Sequence, residues 1–274
     1  MNIRGKTYGS LRSDPFLVAC SLVGGTLVVF VLLALAALIA PEFADLPHLM
    51  RIAGESDVIS AILITFGGGL AAVIVLMILG TPLAYVLART DFRGKHLVES
   101  LVDLPLVLPH TVAGLMVYIL FMQRGLIGAP FAAAGVVFED AIPGIIVAML
   151  FVAMPFYVNT VREGFEKVPV HMENTARTLG ATRFEAFRTV TIPCCTGHIA
   201  NGASLAWGRA IGEFAAIVFI AYFPMVISTL IYFRFSTGGL AESRSIACVI
   251  IVASLVIFIS MRLLVRRGGG HDRV

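Results

Sequence analysis

VISAILITFGGGLAAVIVLMILGTPLAYVLA, residues 58–88, runs for 31 residues without one charged side chain, between Asp57 and Arg89. A chain crossing the hydrocarbon of a bilayer as a helix needs about 20 such residues. This stretch would reach about 46 Å as a helix, against a hydrocarbon core of about 30 Å. It must therefore tilt, kink or project, and Gly67-Gly68-Gly69 and Pro82 are the flex points it offers. A soluble fold of this size has no place for it.

The rest of the chain agrees. Of 274 residues, 58% are hydrophobic and 14% are charged, where soluble domains carry about 25% charge. Mean hydropathy is +0.94. Soluble enzymes, nucleic-acid binders and disordered scaffolds are excluded. Further charge-poor runs cover Phe16–Ala40, Leu104–Gln123, Ala141–Val161, about Pro193–Tyr222 and about Ser245–Met261. The expected fold is all-α and polytopic, with six transmembrane helices in a single domain over residues 1–274. The apolar segments between Arg124 and Glu139 and between Phe223 and Phe233 are too short to cross and suit re-entrant or interfacial turns. A cleaved signal peptide is the competing reading of residues 1–40, but its apolar core is too long for one.

Charge sets the orientation through the excess of Lys and Arg in cytoplasmic loops. With the N-terminus inside, the inner segments hold Arg4, Lys6, Arg12, Arg89, Arg93, Lys95, Arg162, Lys167, Arg177, Arg183, Arg188, Arg262, Arg266, Arg267 and Arg273, fifteen of the 20 basic residues. The outer loops hold Arg51, Arg124, Arg234 and Arg244. Both termini are expected in the cytoplasm.

Residues 162–193 form the longest inner stretch and the most organised. Pro169 breaks the extension of the fourth span, Glu173–Leu179 can form two helical turns, and Gly180 can stop them in the left-handed conformation. Thr182 with Glu185 makes a capping box. Phe184, Phe187 and Val190 then fall on one helical face, and Pro193 can open the next span. By composition alone, this is either an amphipathic loop on the membrane surface or a rigid knob that docks on a cytosolic partner.

Arg209 and Glu213 are the charges within the spans, one helical turn apart with the base in the less favourable N-terminal position. An intramembrane ionisable pair points to a functional site. Three roles stand open for it: fixing span five against its neighbours, gating a pathway, or touching a substrate. Pro105 and Pro109 remove backbone donors near the start of span three, so irregular backbone is expected there, either lining a cavity or as a simple helix start. Cys20, Cys194, Cys195 and Cys248 lack metal or disulfide spacing and read as small packing residues. His48, His96, His171, His198 and His271 are scattered, while His110 beside Pro109 is the histidine with a pathway position. No cofactor and no metal is implied.

Several of these segments resemble a family. Glu173–Pro193 is similar to the EAA loop of ABC-importer permease subunits, which reads E-A-A, three residues, Gly, nine residues, I-x-L-P. Gly180 takes the glycine position, Val190-Thr191-Ile192-Pro193 the I-x-L-P, and Ala176 the second alanine. Asn174 and Thr175 depart from Glu and the first Ala, and Glu173 stands one position early. Gly80–Thr90, Asp103–Pro109 with Val112-Ala113-Gly114, and Trp207–Phe214 resemble blocks of molybdate/tungstate permeases, and next those of sulfate/thiosulfate permeases. His110 replaces a second proline and Ala215 a glycine.

That resemblance implies a fold like that of type I ABC importers and a multi-pass subunit of the cell membrane, with lipid around it. It implies a coupling loop at about 162–193, with Glu173, Asn174, Thr175, Ala176, Gly180, Phe187 and Pro193 facing the ATPase. The residues themselves give a candidate translocation pathway or gate at Pro105, Pro109, His110, Arg209 and Glu213. Partners would be a second copy, two ATP-binding cassette subunits and an extracytoplasmic oxyanion-binding protein. No G-x-x-x-x-G-K-[ST] phosphate loop occurs in the chain, so the chain is not expected to be an enzyme, and ATP would be hydrolysed on the partners. A membrane-embedded hydrolase built on Ser204 near Arg209 and Glu213, and a lone secondary transporter, are the readings from other classes.

Overall fold

The computed structural model describes residues 14–268, with side chains as far as 257. Arg4, Lys6, Arg12, His271 and Arg273 lie outside the described residues, and the side chains of Arg262, Arg266 and Arg267 outside the described side chains. No strand occurs among the described residues. The helices are α1 (Pro15–Ile39), α2 (Leu46–Ala53), α3 (Ser56–Arg89), α4 (Lys95–Val107), α5 (His110–Phe121), α6 (Gly128–Ala133), α7 (Ile142–Lys167), α8 (Val170–Thr178), α9 (Arg183–Ala186), α10 (Ile192–Cys194), α11 (Thr196–Ile211), α12 (Ile217–Ile220), α13 (Ile227–Gly238) and α14 (Leu240–Gly268). A 3-10 turn, Ala40–Ala44, follows α1, and a π turn, Phe187–Thr191, joins α9 to α10.

Four helices among the described residues are long and apolar enough to cross a membrane: α1 with its 3-10 turn, α3, α7 and α14 over Leu240–Ile257. They match expected spans one, two, four and six. The third and fifth differ. Instead of one span over Leu104–Gln123, α4 begins at Lys95 and meets α5 at a 117° bend. Pro109 lacks an amide hydrogen and Leu108 is extended (φ −71°, ψ 140°), so the helical ladder cannot continue across them. The fifth span ends at Ile211 rather than near Tyr222, and residues 212–216 are mostly irregular before the single turn of α12. The second is continuous: α3 is one helix from Ser56 to Arg89, with Gly67-Gly68-Gly69 and Pro82 inside it. Of the two short apolar segments, the first contains α6 and the second leads into α13.

The core is a three-helix contact of α3, α7 and α11. Tyr157, Phe165, Leu87, Ile145 and Met149 are fully buried there. The Tyr157 and Thr81 hydroxyls pair at 2.7 Å, and Trp207 of α11 donates to the Phe66 carbonyl at 3.4 Å. In an apolar solvent a hydroxyl or indole N–H left without a partner costs several kcal/mol, so these pairs also set the register of the helices. α4 lies along α7 through Arg162–Glu99 (3.0 Å) and Asn159–Asp103 (2.6 Å). At the opposite end a smaller core of Ile52, Val58, Ala61, Ile227, Leu230 and Ile246 closes the bundle. It is pinned by Arg244 and Ser245 on the buried carboxylate of Glu42, at 2.6 and 2.7 Å. α1 by contrast has no buried residue, so its apolar surface is free to face lipid.

Candidate functional site

Two constellations bear on function, one inside the bundle and one at the end that carries Arg89 and Lys167.

The first is built by the two helix breaks. Because the chain turns at Leu108-Pro109, His110 heads α5 and faces α11. Because α11 stops at Ile211, Glu213 is free to fold back. Its carboxylate, 2% exposed, accepts from Arg209 Nη2 at 2.7 Å and from the Ala216 amide at 2.9 Å. The Ser228 hydroxyl donates to the Glu213 carbonyl at 2.8 Å. Arg209 Nη2 also lies 3.0 and 3.2 Å from the two ring nitrogens of His110, whose Nδ1 is 3.9 Å from Glu213 Oε2. The buried carboxylate is thus paired and hydrogen-bonded, as a buried charge must be, while Arg209 and His110 keep partial access to the surroundings. Gly114 permits this arrangement: a Cβ there would lie 2.7 Å from the Ala216 backbone.

Of the five residues assigned to a pathway, the structure brings His110, Arg209 and Glu213 into one cluster. Pro109 caps α5 beside them, and Pro105 is buried inside α4. Ser204 donates its hydroxyl to the Ala200 carbonyl, 2.8 Å away. Ser228, which holds the Glu213 backbone, carries no signal in the sequence.

The second constellation is the 162–193 loop. α7 ends at Lys167, Pro169 caps α8, and Gly180 takes φ +101°, which an L side chain rarely adopts. The Thr182–Glu185 capping box forms, and the Thr182 amide it engages holds the Glu185 carboxyl below the ordinary range. Phe184, Phe187 and Val190 do not share an environment: Phe187 packs on Tyr85 and Phe165 and is half-buried, as is Val190 beyond it in the π turn, while Phe184 is 68% exposed. Leu179, at the other shoulder of Gly180, is 84% exposed. Asn174, Thr175, Gly180 and Pro193 lie on the surface, and Ala176 is half-buried.

Glu173 does not face outward. It is 7% exposed and accepts from Arg89 Nε (2.9 Å), the Thr191 hydroxyl (2.8 Å) and the Tyr85 hydroxyl (3.0 Å). Burial pushes its carboxyl up, but the bonds from Thr191, Arg89 and Tyr85 outweigh burial and leave it below the ordinary range. Sequence reasoning missed Tyr85, Arg89 and Thr191; the spacing of the first two, one turn apart at the end of α3, was the available signal. Cys195 and Cys248 are buried as expected of packing residues, whereas Cys20 and Cys194 are exposed.

Residues 80–268 match the model of the binding-protein-dependent transport system inner membrane component family, and the chain belongs to it. It is a permease subunit of an ABC importer. The chain is 37% identical over 257 residues to the molybdate/tungstate transport system permease protein WtpB of Thermococcus kodakarensis, covering 94% of this chain and 99% of that one. It is 33% identical over 246 residues to the sulfate transport system permease protein CysT of Synechocystis, covering 88% and 86%. Its fold is shared with a chain of the bacterial alginate ABC transporter, solved in complex with an alginate-pentasaccharide-bound periplasmic protein. There the TM-score is 0.72 and the identity 21%, over 95% of this chain and 97% of that chain.

Proposed function

We propose that this chain passes molybdate or tungstate from an extracytoplasmic binding protein to the cytoplasm, by alternating access driven by ATP on partner subunits. The assembly is two copies of the chain with two ATP-binding subunits, in the plasma membrane. Each copy crosses six times with both termini inside, counting α4–α5 and α11–α12 as broken crossings. The observation that carries the reading is the end-to-end likeness to WtpB-type permeases, 94% of this chain against 99% of that one.

The geometry fits the task. Leu179 and Phe184 expose apolar surface at the tip of a knob stiffened by a glycine stop and a capping box, and such a surface suits docking on a globular partner. Arg209, His110 and Glu213 act as a gate element. Glu213 neutralises Arg209 at 2.7 Å, so a doubly charged tetrahedral anion meets positive hydrogen-bond donors without a net positive trap. Selection then falls to the binding protein. Sulfate or thiosulfate is the second reading, favoured by the 33% identity to CysT.

The test is retention of the neighbouring ATP-binding subunit on the detergent-solubilised permease. Phe184→Asp with Leu179→Asp is expected to lower retention at least tenfold, since each introduced charge would face the apolar contact. Full retention by that variant removes the knob from the docking surface.

A further inference from the structure

The bonds that converge on Glu173 tie together three parts of the chain. Glu173 belongs to α8, in the knob; Tyr85 and Arg89 belong to the last turn of α3; Thr191 closes the π turn that leads into α10. Arg89 extends the tie, because its Nη2 also donates to the Val168 carbonyl at 2.9 Å, where α7 hands over to α8. The Arg89 and Glu173 side chains are both 10% exposed. Around them the Tyr85 ring lies 4.6 Å from Phe187 and 5.6 Å, edge on, from Phe165. The exposed tip at Leu179 and Phe184 has no part in this network.

We infer that Glu173 is a positioning residue that clasps the knob to the end of α3, rather than a contact for the ATP-binding subunit; this rests on the coupling role proposed for the knob. A displacement of the tip cannot be absorbed by bending between α8 and α3 while that clasp holds. The α3 helix then carries it along its length to Phe66, whose carbonyl holds Trp207, two residues from Arg209 on α11. Motor movement and gate movement are thereby joined through one helix. Without the clasp the ATP-binding subunit still docks, but its stroke is lost at the knob.

The test uses the full complex of permease, ATP-binding subunits and binding protein in proteoliposomes, with molybdate as the probe. Glu173→Gln removes the charge and keeps the shape; Thr191→Val removes one bond with little change of volume. Two quantities are read: ATP-binding subunit retained on the permease, and molybdate taken up per ATP hydrolysed. Retention is expected within twofold of the parent for both variants. Uptake per ATP is expected to fall about tenfold for Glu173→Gln and about threefold for Thr191→Val. Lost retention with unchanged uptake per ATP would make Glu173 a docking contact and overturn the inference. Uptake and hydrolysis that fall in step, at an unchanged ratio, would reduce the clasp to a support of the fold and overturn it too. If the parent complex itself retains no ATP-binding subunit, the coupling reading fails at its root, and that is visible before any variant is made.

Discussion

Removing one partner at a time from the Arg209–Glu213 pair should have unequal costs. The Glu213 carboxylate is 2% exposed, the Arg209 side chain 22%. In Arg209→Met the carboxylate stays buried, left with the Ala216 amide at 2.9 Å and with His110 at 3.9 Å. A buried charge stripped of its partner costs about 3–5 kcal/mol. In Glu213→Gln the amide oxygen can still accept from Ala216, and the guanidinium can turn toward its open side. Losing one charge-assisted hydrogen bond costs about 1.5–3 kcal/mol, and the open side puts this variant at the lower end. The double variant leaves no unpaired charge and should recover about 2 kcal/mol relative to the sum of the single losses. The chain has one tryptophan, Trp207, two residues from Arg209, so its fluorescence during denaturant titration in mixed micelles reports unfolding at this place. A smaller loss in Arg209→Met than in Glu213→Gln, or additive single losses, would refute the pairing.

Three further outcomes are expected. Gly114→Ala would force the α5 backbone away from Ala216, at a cost of about 1–3 kcal/mol; thermal unfolding should fall and molybdate uptake with it, whereas unchanged values would mean that α5 gives way freely. Gly180→Val places a β-branched residue at φ +101°, with a penalty of about 1–2 kcal/mol; limited trypsin digestion should then cut faster at Arg177 and Arg183. Glu173 has a folded value held below the ordinary 4.5, so its contribution is fully present above the ordinary carboxylate range and is lost as pH falls through the lower folded value. Amide exchange over residues 173–191, corrected for intrinsic rates, should therefore be flat across neutral pH and rise only on acidification below the ordinary carboxylate value.

Charge-free length made α1 and α3 legible to within two residues, and α7 and α14 in place but as runs shorter than the helices that form, because nothing in a bilayer competes with an uninterrupted apolar helix. The broken spans were not legible in the same way. Pro105 and Pro109 announced irregularity, but only the 117° bend puts His110 against Arg209, and a bend of that size reflects the helices packed around it. The end of α11 was invisible because the apolar run resumes at Phe214-Ala215-Ala216 just past Glu213, while the backbone at Glu213 turns toward Ser228. In the knob, Gly180 and the Thr182–Glu185 box were readable from local rules. The π turn over Phe187–Thr191 was not, since periodicity counts 3.6 residues per turn. Glu173 was legible as a residue of the loop but not in its direction, which depends on Arg89 and Tyr85, 84 and 88 positions away.

The most direct measurement is ATP-dependent uptake of molybdate into proteoliposomes that contain this chain, with its ATP-binding subunit and binding protein added singly and together. Uptake should require both, stop when either is left out, and be competed more strongly by tungstate than by sulfate. Uptake by this chain alone, without ATP or a binding protein, would contradict the account.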